Sequence, residues 1–104
     1  MATKHKLVYL TEAEVDILGI VKFHAEKVGP KSAREIYQTV RGEIIRLQEY
    51  PLLGATHPDP ELAVLGFRKL TLNQTYVAVY KVEGDTVLIY RIVNGATDYP
   101  KLLK

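Results

Sequence analysis

The stretch from residue 67 to residue 99 constrains the fold more than any other part of the chain. Its sequence, FRKLTLNQTYVAVYKVEGDTVLIYRIVNGATDY, carries alternating β-branched and aromatic residues along two runs, 76–82 and 87–93. Between the runs lies Glu83-Gly84-Asp85, a turn signal of hairpin length. Because alternation, β-branching and turn residues agree, the stretch predicts three short strands, the last two of which form a hairpin.

The first half of the chain predicts one strand and two helices. Residues 6–10 form a short strand candidate, and Thr-Glu-Ala-Glu at 11–14 has the form of a capping box at the start of a helix over 12–28. Gly29-Pro30 ends this helix and starts a second one over 31–49, so the two helices form an antiparallel hairpin. The apolar stripe of the first helix recurs at three- and four-residue intervals. It comprises Val15, Leu18, Val21, Ala25 and Val28, widened by Ile17, Ile20 and His24.

This order of elements predicts an α+β fold: a strand, a helical hairpin, then a three-stranded antiparallel meander. Asp59-Pro60-Glu61 indicates one helical turn inside the irregular segment 51–66. Alternate residues from Tyr76 to Val82 are expected to meet the helices. The other side of the hairpin then presents an uncovered apolar strip, which is a typical docking surface for a partner helix or strand.

Composition bounds the function classes. A length of 104 residues favours a single domain over residues 1–104, and a net charge of +2 is too weak to require a nucleic-acid partner. The absence of cysteine excludes disulfides, thiolate metal sites and cysteine nucleophiles. The three histidines lack metal-ligand spacing, so we expect no metal and no cofactor. No apolar run reaches the length of a membrane span, and the N-terminus does not resemble a signal peptide, so we expect no membrane association and a cytoplasmic location.

Several motifs in the chain resemble those of one protein family. The sequence LQEYPLLG at 47–54 is similar to a family pattern L…P..G, FRKL follows at 67–70, and 76–82 is close to the family strand YRIVYRV. The sharpest match is YRIVNGATDYPKLL at 90–103, which resembles VRVLHGRRDYPRLL. In this order and spacing the motifs resemble the RelE/ParE superfamily of type II toxin–antitoxin toxins, and in particular its ParE-like and plasmid-stabilisation branches. The resemblance covers nearly the whole chain.

The resemblance implies one of two activities. RelE-like members are ribosome-dependent endonucleases that cut mRNA without a metal, so arginine and lysine must stabilise the charge on the attacked phosphate. ParE-like members bind DNA gyrase and trap it in a damaging state. Either kind is neutralised by a cognate antitoxin, and DNA is then contacted only through that antitoxin.

Departures from the family pattern distinguish these activities. Val77 stands where nuclease members often carry arginine, Asn94 replaces a histidine, and Ala96-Thr97 replaces an arginine pair. These losses favour inhibition of gyrase by protein–protein binding, without catalysis. The alternatives are a ribosome-dependent mRNA endonuclease and a degenerate, non-toxic member that only binds its antitoxin.

The candidate site residues fall into three groups. The catalytic candidates, if the chain is a nuclease, are Arg68, Lys69, Lys81, Arg91 and Tyr99. The candidates for binding the target are Arg91, Asn94, Asp98 and Tyr99. The candidates for binding the antitoxin are Val77, Val79 and Leu88 of the apolar strip, with Arg41 and Arg46 for an acidic tail. Two further expectations are that Arg91 pairs with Glu83 or Asp98 if its role is structural, and that His57 is free for acid/base work.

Overall fold

The computed structural model describes residues 4–104, so residues 1–3 of the predicted domain lie outside the described part. The strands are β1 (Lys6–Tyr9), β2 (Ala55–Thr56), β3 (Arg68–Leu72), β4 (Tyr76–Glu83) and β5 (Thr86–Asn94). The α-helices are α1 (Thr11–Lys27), α2 (Pro30–Ile45) and α3 (Pro60–Val64), and 3-10 turns occupy Arg46–Gln48 and Pro100–Leu103. The order confirms the predicted α+β fold and adds β2.

The strands form one sheet in the order β1-β5-β4-β3-β2. β1 runs parallel to β5, and every other neighbouring pair is antiparallel. Gly84, with φ of 60°, occupies the first central position of the two-residue turn between Glu83 and Thr86, as the hairpin signal predicts. The pairing shifts by one residue between Val79 and Tyr80, which leaves Tyr90 of β5 as a bulge.

The helical hairpin covers one face of the sheet. Ala78 and Tyr80 are fully buried on this side of β4, as predicted from the alternation. The bulge at Tyr90 allows Ile89 and Ile92, three residues apart, to face the same core. From the helices this core receives Ala13, Ile17, Ile36, Val40 and Ile44.

The predicted buried stripe of α1 is wrong in part: Ile17, Ile20 and Val21 do pack in or against the core, but other members of the stripe face outward. Ala13 and Ile17 are buried, whereas Val15, Leu18 and Val28 are 60%, 68% and 72% exposed. Two apolar stripes overlap on this helix. The stripe that faces the core lies between two carboxylates, and each of these carboxylates binds a partner elsewhere in the fold. Those carboxylates belong to Glu14 and Asp16.

The predicted capping box is also wrong, because Glu14 has a different partner. The helix begins at Thr11 directly after an extended Leu10, and no side chain caps its first turn. The Glu14 carboxylate accepts two hydrogen bonds from the Arg41 guanidinium, at 3.0 and 2.9 Å. The guanidinium carbon also lies 4.4 Å from the centre of the Tyr9 ring. This contact joins α1 to α2 and β1, and the Arg41 hydrogen bonds hold the pKa of Glu14 below its usual value.

The other face of the sheet, called here the second face, is covered as well. Val77 and Val79 are 4% and 0% exposed, so the predicted uncovered apolar strip is not exposed. Leu62 of α3 and Tyr99 of the C-terminal segment are buried in the same cluster, which also holds Phe67. The irregular segment and the chain end therefore supply a cover that the strand pattern alone does not reveal.

The irregular segment that contributes to this cover begins with a tight turn at residues 51–54. The Tyr80 hydroxyl donates to the Pro51 carbonyl at 2.8 Å and accepts the Gly54 N–H at 2.9 Å. A Cβ at position 54 would lie 2.5 Å from the Lys69 carbonyl oxygen, so only glycine fits there. The family-like LQEYPLLG motif is thus explained by packing of this turn against β3 and β4.

An ion pair fixes α1 to β5 where β1 has ended. The Arg91 Nε and Nη2 donate to the two Asp16 carboxylate oxygens at 2.7 and 3.0 Å. The same carboxylate accepts the Ile92 backbone N–H at 2.9 Å, which satisfies a donor on the open edge of β5. Arg91 therefore has a structural partner, and that partner is Asp16, not Glu83 or Asp98.

Replacing Asp16 by alanine tests this contact. The side chains of Arg91 and Asp16 are only 25% and 14% exposed. Removal of the carboxylate therefore leaves a largely buried guanidinium and a backbone N–H without a hydrogen-bond acceptor. We expect the free energy of unfolding in urea to fall by about 3 kcal/mol. In the control Glu35→Ala, which removes an exposed pair with Lys31, the loss should be roughly 0.5 kcal/mol or less. Equal losses in the two variants would contradict a structural role for Asp16.

Candidate functional site

A concave surface on the second face lies beside the connection between β3 and β4. We call it the second-face groove; its volume is about 490 Å³. The groove is lined by Lys69, Thr71, Gln74, Thr75, Val77, Asn94, Gly95 and Ala96. Three of these residues, Val77, Asn94 and Ala96, are positions at which the sequence departs from the nuclease-like pattern.

Two loops shape the groove. In the β3–β4 connection Asn73 and Gln74 adopt left-handed backbone conformations, with φ of 48° and 61°. The Thr75 carbonyl accepts the Gly95 N–H at 2.9 Å, which joins this connection to the segment after β5. The Asn94 side chain accepts the Ala96 N–H at 2.9 Å and so closes a local turn. Asn94, predicted as a target-binding residue, is exposed and also holds this turn.

Three polar residues that line the groove, Thr71, Gln74 and Thr75, were not predicted from the sequence. A signal for them is present in LTLNQTY, where polar residues follow an alternating strand at a turn. Their amides and hydroxyls are hydrogen-bonding groups with no charge at neutral pH.

Among the lining residues Lys69 alone carries a charge. The other basic candidates lie elsewhere and have partners of their own. Arg68 donates to the Gly54 carbonyl at 2.9 Å, and the Lys81 ammonium lies 4.4 Å from the centre of the Phe67 ring. Arg91 is held by Asp16. Of the five catalytic candidates, Lys69 is therefore the one that lines the groove.

Tyr99 and His57 form a buried pair beneath the cover. Tyr99 is 6% exposed and His57 3% exposed, and the His57 Nε2 and Tyr99 hydroxyl oxygen are 2.7 Å apart. The Asp59 N–H donates to His57 Nδ1 at 3.0 Å, so the neutral ring carries its proton on Nε2 and donates it to Tyr99. The prediction that His57 is free for acid/base work is therefore wrong, because both ring nitrogens are engaged.

An ion pair holds the C-terminal segment against α3. The Lys104 ammonium lies 3.0 Å from the Asp59 carboxylate, which also caps the N-terminus of α3 through the Glu61 and Leu62 N–H groups. The hydrogen bond from Lys104 is the main reason that the pKa of Asp59 lies below its usual value. The predicted helical turn at Asp59-Pro60 is confirmed.

Comparison with known proteins places this geometry in a family. Residues 7–99 match the family described as ParE toxin of type II toxin-antitoxin system, parDE. The chain belongs to the ParE toxin family. A solved structure described as the chromosomal ParDE TA system from P. aeruginosa is 26% identical, with a TM-score of 0.75 over 89% of this chain and 98% of the other. The toxin-antitoxin complex RelBE2 from Mycobacterium tuberculosis, at 22% identity, shares the fold with a TM-score of 0.57 over 88% and 98% of the two chains. No curated protein matches the sequence significantly.

The residues predicted to bind an antitoxin differ in how accessible they are in this ParE-family toxin. Val77 and Val79 are buried, and Arg41 is held by Glu14. Leu88 is half-buried, and it pairs with Val8 of β1, which is 42% exposed. Arg46 is exposed, and within residues 4–104 the only carboxylate paired with its guanidinium is that of Glu43, at 3.2 Å. Leu88 and Arg46 are thus the members of this group that keep an accessible surface.

Two further features of the toxin bear on its chemistry. Among residues 4–104 no three histidine, aspartate or glutamate side chains come together in a way that could hold a metal ion. In the same part of the chain no helix is long and apolar enough to cross a membrane.

The His57–Tyr99 pair predicts how the stability of the toxin depends on pH. Burial, and then the charge of Lys69, lower the pKa of His57 below its ordinary value of 6.5, although Asp59 opposes the shift. The unfolded chain therefore takes up the proton first, so this contribution to stability is complete above pH 6.5 and declines as the pH falls below it.

Urea unfolding between about pH 7.5 and about pH 5 measures this effect. We expect wild type to lose more stability than His57→Gln, because glutamine keeps an acceptor for Asp59 and a donor for Tyr99 without titrating in this range. His5 and His24 are present in both proteins and cancel in the difference. Parallel pH profiles for the two proteins would show that His57 is not buried as a neutral ring.

Proposed function

We propose that this chain acts by binding DNA gyrase, with no bond-breaking chemistry of its own, as the toxin subunit of a type II toxin–antitoxin pair. The observation that carries the proposal is the composition of the second-face groove. Val77, Asn94 and Ala96, the positions at which arginine or histidine is missing, line this groove together and leave Lys69 as its one cation.

Cutting a phosphodiester without a metal places two demands on a site. Cations must stabilise the charge that develops on the phosphate, and a titrating group must move a proton. Lys69 meets the first demand only in part, and no histidine, aspartate or glutamate lines the groove. His57, Arg91 and Tyr99 are committed to other contacts. The geometry therefore supports the endonuclease alternative poorly.

A binding role requires accessible surface instead of reactive groups. The segment 94–98, which begins at the last residue of β5, is exposed along its whole length. Within residues 4–104 the only ion pair of Asp98 is with Lys101, at 3.8 Å, and the Asp98 side chain is 82% exposed. We propose Asn94 and Asp98 as contacts to the target, whereas Arg91 and Tyr99 position the surrounding structure.

The comparisons support the ParE side of this choice. The chain matches the ParE toxin family over residues 7–99, and the ParDE structure resembles it more closely, at a TM-score of 0.75, than the RelBE2 structure does at 0.57. We propose in addition a cognate antitoxin as partner, DNA contact only through that antitoxin, and a location in the cytoplasm, where gyrase works.

A supercoiling assay with purified gyrase tests the proposal. We expect the toxin to inhibit supercoiling and to raise the amount of gyrase–DNA cleavage complex. Asp98→Lys should weaken this inhibition by roughly tenfold, because it reverses a charge on the proposed contact surface. Lys101→Ala is the matched control, since it removes the same weak ion pair without reversing a charge, and it should inhibit like wild type.

The alternatives predict different results. Unaffected gyrase, together with mRNA cleavage on translating ribosomes that disappears in Lys69→Ala, would favour an endonuclease. Normal growth after induction, with tight antitoxin binding, would indicate a non-toxic member. Either pair of results would overturn gyrase inhibition.

A further inference from the structure

The outward side of α1 carries exposed apolar side chains that no element within residues 4–104 covers. Val15, Leu18 and Phe23 are 60%, 68% and 53% exposed. Gly19 lies between them, and apart from its chain neighbours and the local helix backbone a Cβ at this position would meet no atom within 4 Å. We call Glu12, Val15, Gly19 and Lys22, with the flanking Leu18 and Phe23, the α1 outer face.

Within residues 4–104 no close contact explains the missing side chain at Gly19. Glycine in the middle of a helix is less stable than alanine, because it loses more backbone freedom on folding. At Gly54 close packing explains the missing side chain, but at Gly19 the space above the helix is open. The observation indicates that something outside the chain uses this space. Gly42 in α2 is equally open, and its neighbours one turn away are the polar Gln38, Thr39 and Arg46 and the exposed Ile45.

The α1 outer face is complementary to itself. Glu12, Val15, Gly19 and Lys22 follow one another at intervals of three, four and three residues, so they lie along one side of the helix. Suppose that a second α1 runs antiparallel, with its Gly19 opposite Val15. Val15 of the second copy then lies opposite Gly19, and Glu12 of each copy lies opposite Lys22 of the other.

The charges on this face are available for such pairing. Glu12 has no ion pair within residues 4–104, although it lines a shallow pocket together with Arg91, whose guanidinium is already held by Asp16. Within the same residues Lys22 pairs only with Glu26, at 4.0 Å, and this ion pair is weak because both side chains are more than half exposed. In the antiparallel arrangement Glu26 would lie beyond the end of the other helix, so it would not oppose Glu12.

We infer that a second copy of this chain docks on the α1 outer face through a twofold-symmetric, antiparallel contact of the two α1 helices. The contact places a large side chain against a glycine and an acid against a base, each of them twice. A surface that matches itself in both size and charge fits an isologous dimer better than it fits an unrelated partner.

Charge reversal tests this arrangement in the full-length protein. Sedimentation velocity of wild type over the micromolar range should show a monomer–dimer equilibrium. Glu12→Lys places two lysines opposite each other in both symmetric pairs, and Lys22→Glu does the same with two glutamates. Each variant alone should therefore dimerise roughly tenfold more weakly or worse. Mixing the two variants should restore the dimer. In the mixed dimer each lysine of the Glu12→Lys variant lies opposite a glutamate of the Lys22→Glu variant, so both pairs are attractive again.

Two matched controls separate the contact from general effects on α1 and α2. Lys27→Glu reverses an exposed charge outside the pairing region and should leave dimerisation unchanged. Gly19→Leu fills the space opposite Val15 and should abolish the dimer, whereas Gly42→Leu, at the other exposed helix glycine, should not. Circular dichroism checks that every variant remains folded.

Three outcomes would overturn the inference. A wild-type protein that stays monomeric throughout the range, or a mixture of the charge variants that stays monomeric, excludes the second copy. A monomeric wild type whose antitoxin or gyrase binding is weakened by Glu12→Lys assigns the α1 outer face to that partner instead.

Discussion

Strand β4 has no side that can face water, and the rest of the fold follows from this constraint. Ala78 and Tyr80 are buried on one side and Val77 and Val79 on the other. Full burial of a valine side chain is worth about 2 kcal/mol, so neither face can be left open cheaply. The helical hairpin covers one face, whereas α3 and the C-terminal segment cover the other. The family-like segment at the end of the chain is therefore part of the core.

Covering the second face also decides the chemistry that remains there. Tyr99 enters the cover and binds His57, and Arg91 is drawn to Asp16 at the open edge of β5. Residues that look available for phosphate chemistry in the sequence thus have structural duties in the fold. Lys69 is left as the charged residue in a groove whose other lining residues are neutral. This composition supports the proposed binding role better than metal-free RNA cleavage, which requires cations and a titrating group at the phosphate.

The parts of the fold that depend on local pattern could be predicted, and the parts that depend on distant contacts could not. Alternation along β4 was sufficient to predict the hairpin and the side that meets the helices. The buried stripe of α1 was not predictable, since it depends on Asp16 meeting Arg91, 75 residues away. The cover was missed because residues 51–66 have no periodicity. For the groove, Val77 and Asn94 were recognised from the family pattern, but their proximity required the pairing of β4 with β5.

The proposed action on gyrase, and not on mRNA, can be tested in cells. The most direct measurement maps both kinds of damage in one culture after induction: DNA ends covalently linked to gyrase, and new 5′ ends in mRNA. If the protein inhibits gyrase, gyrase-linked DNA ends accumulate while the mRNA ends stay at the level of an uninduced culture. New mRNA ends at codon boundaries, without gyrase-linked DNA, would contradict it.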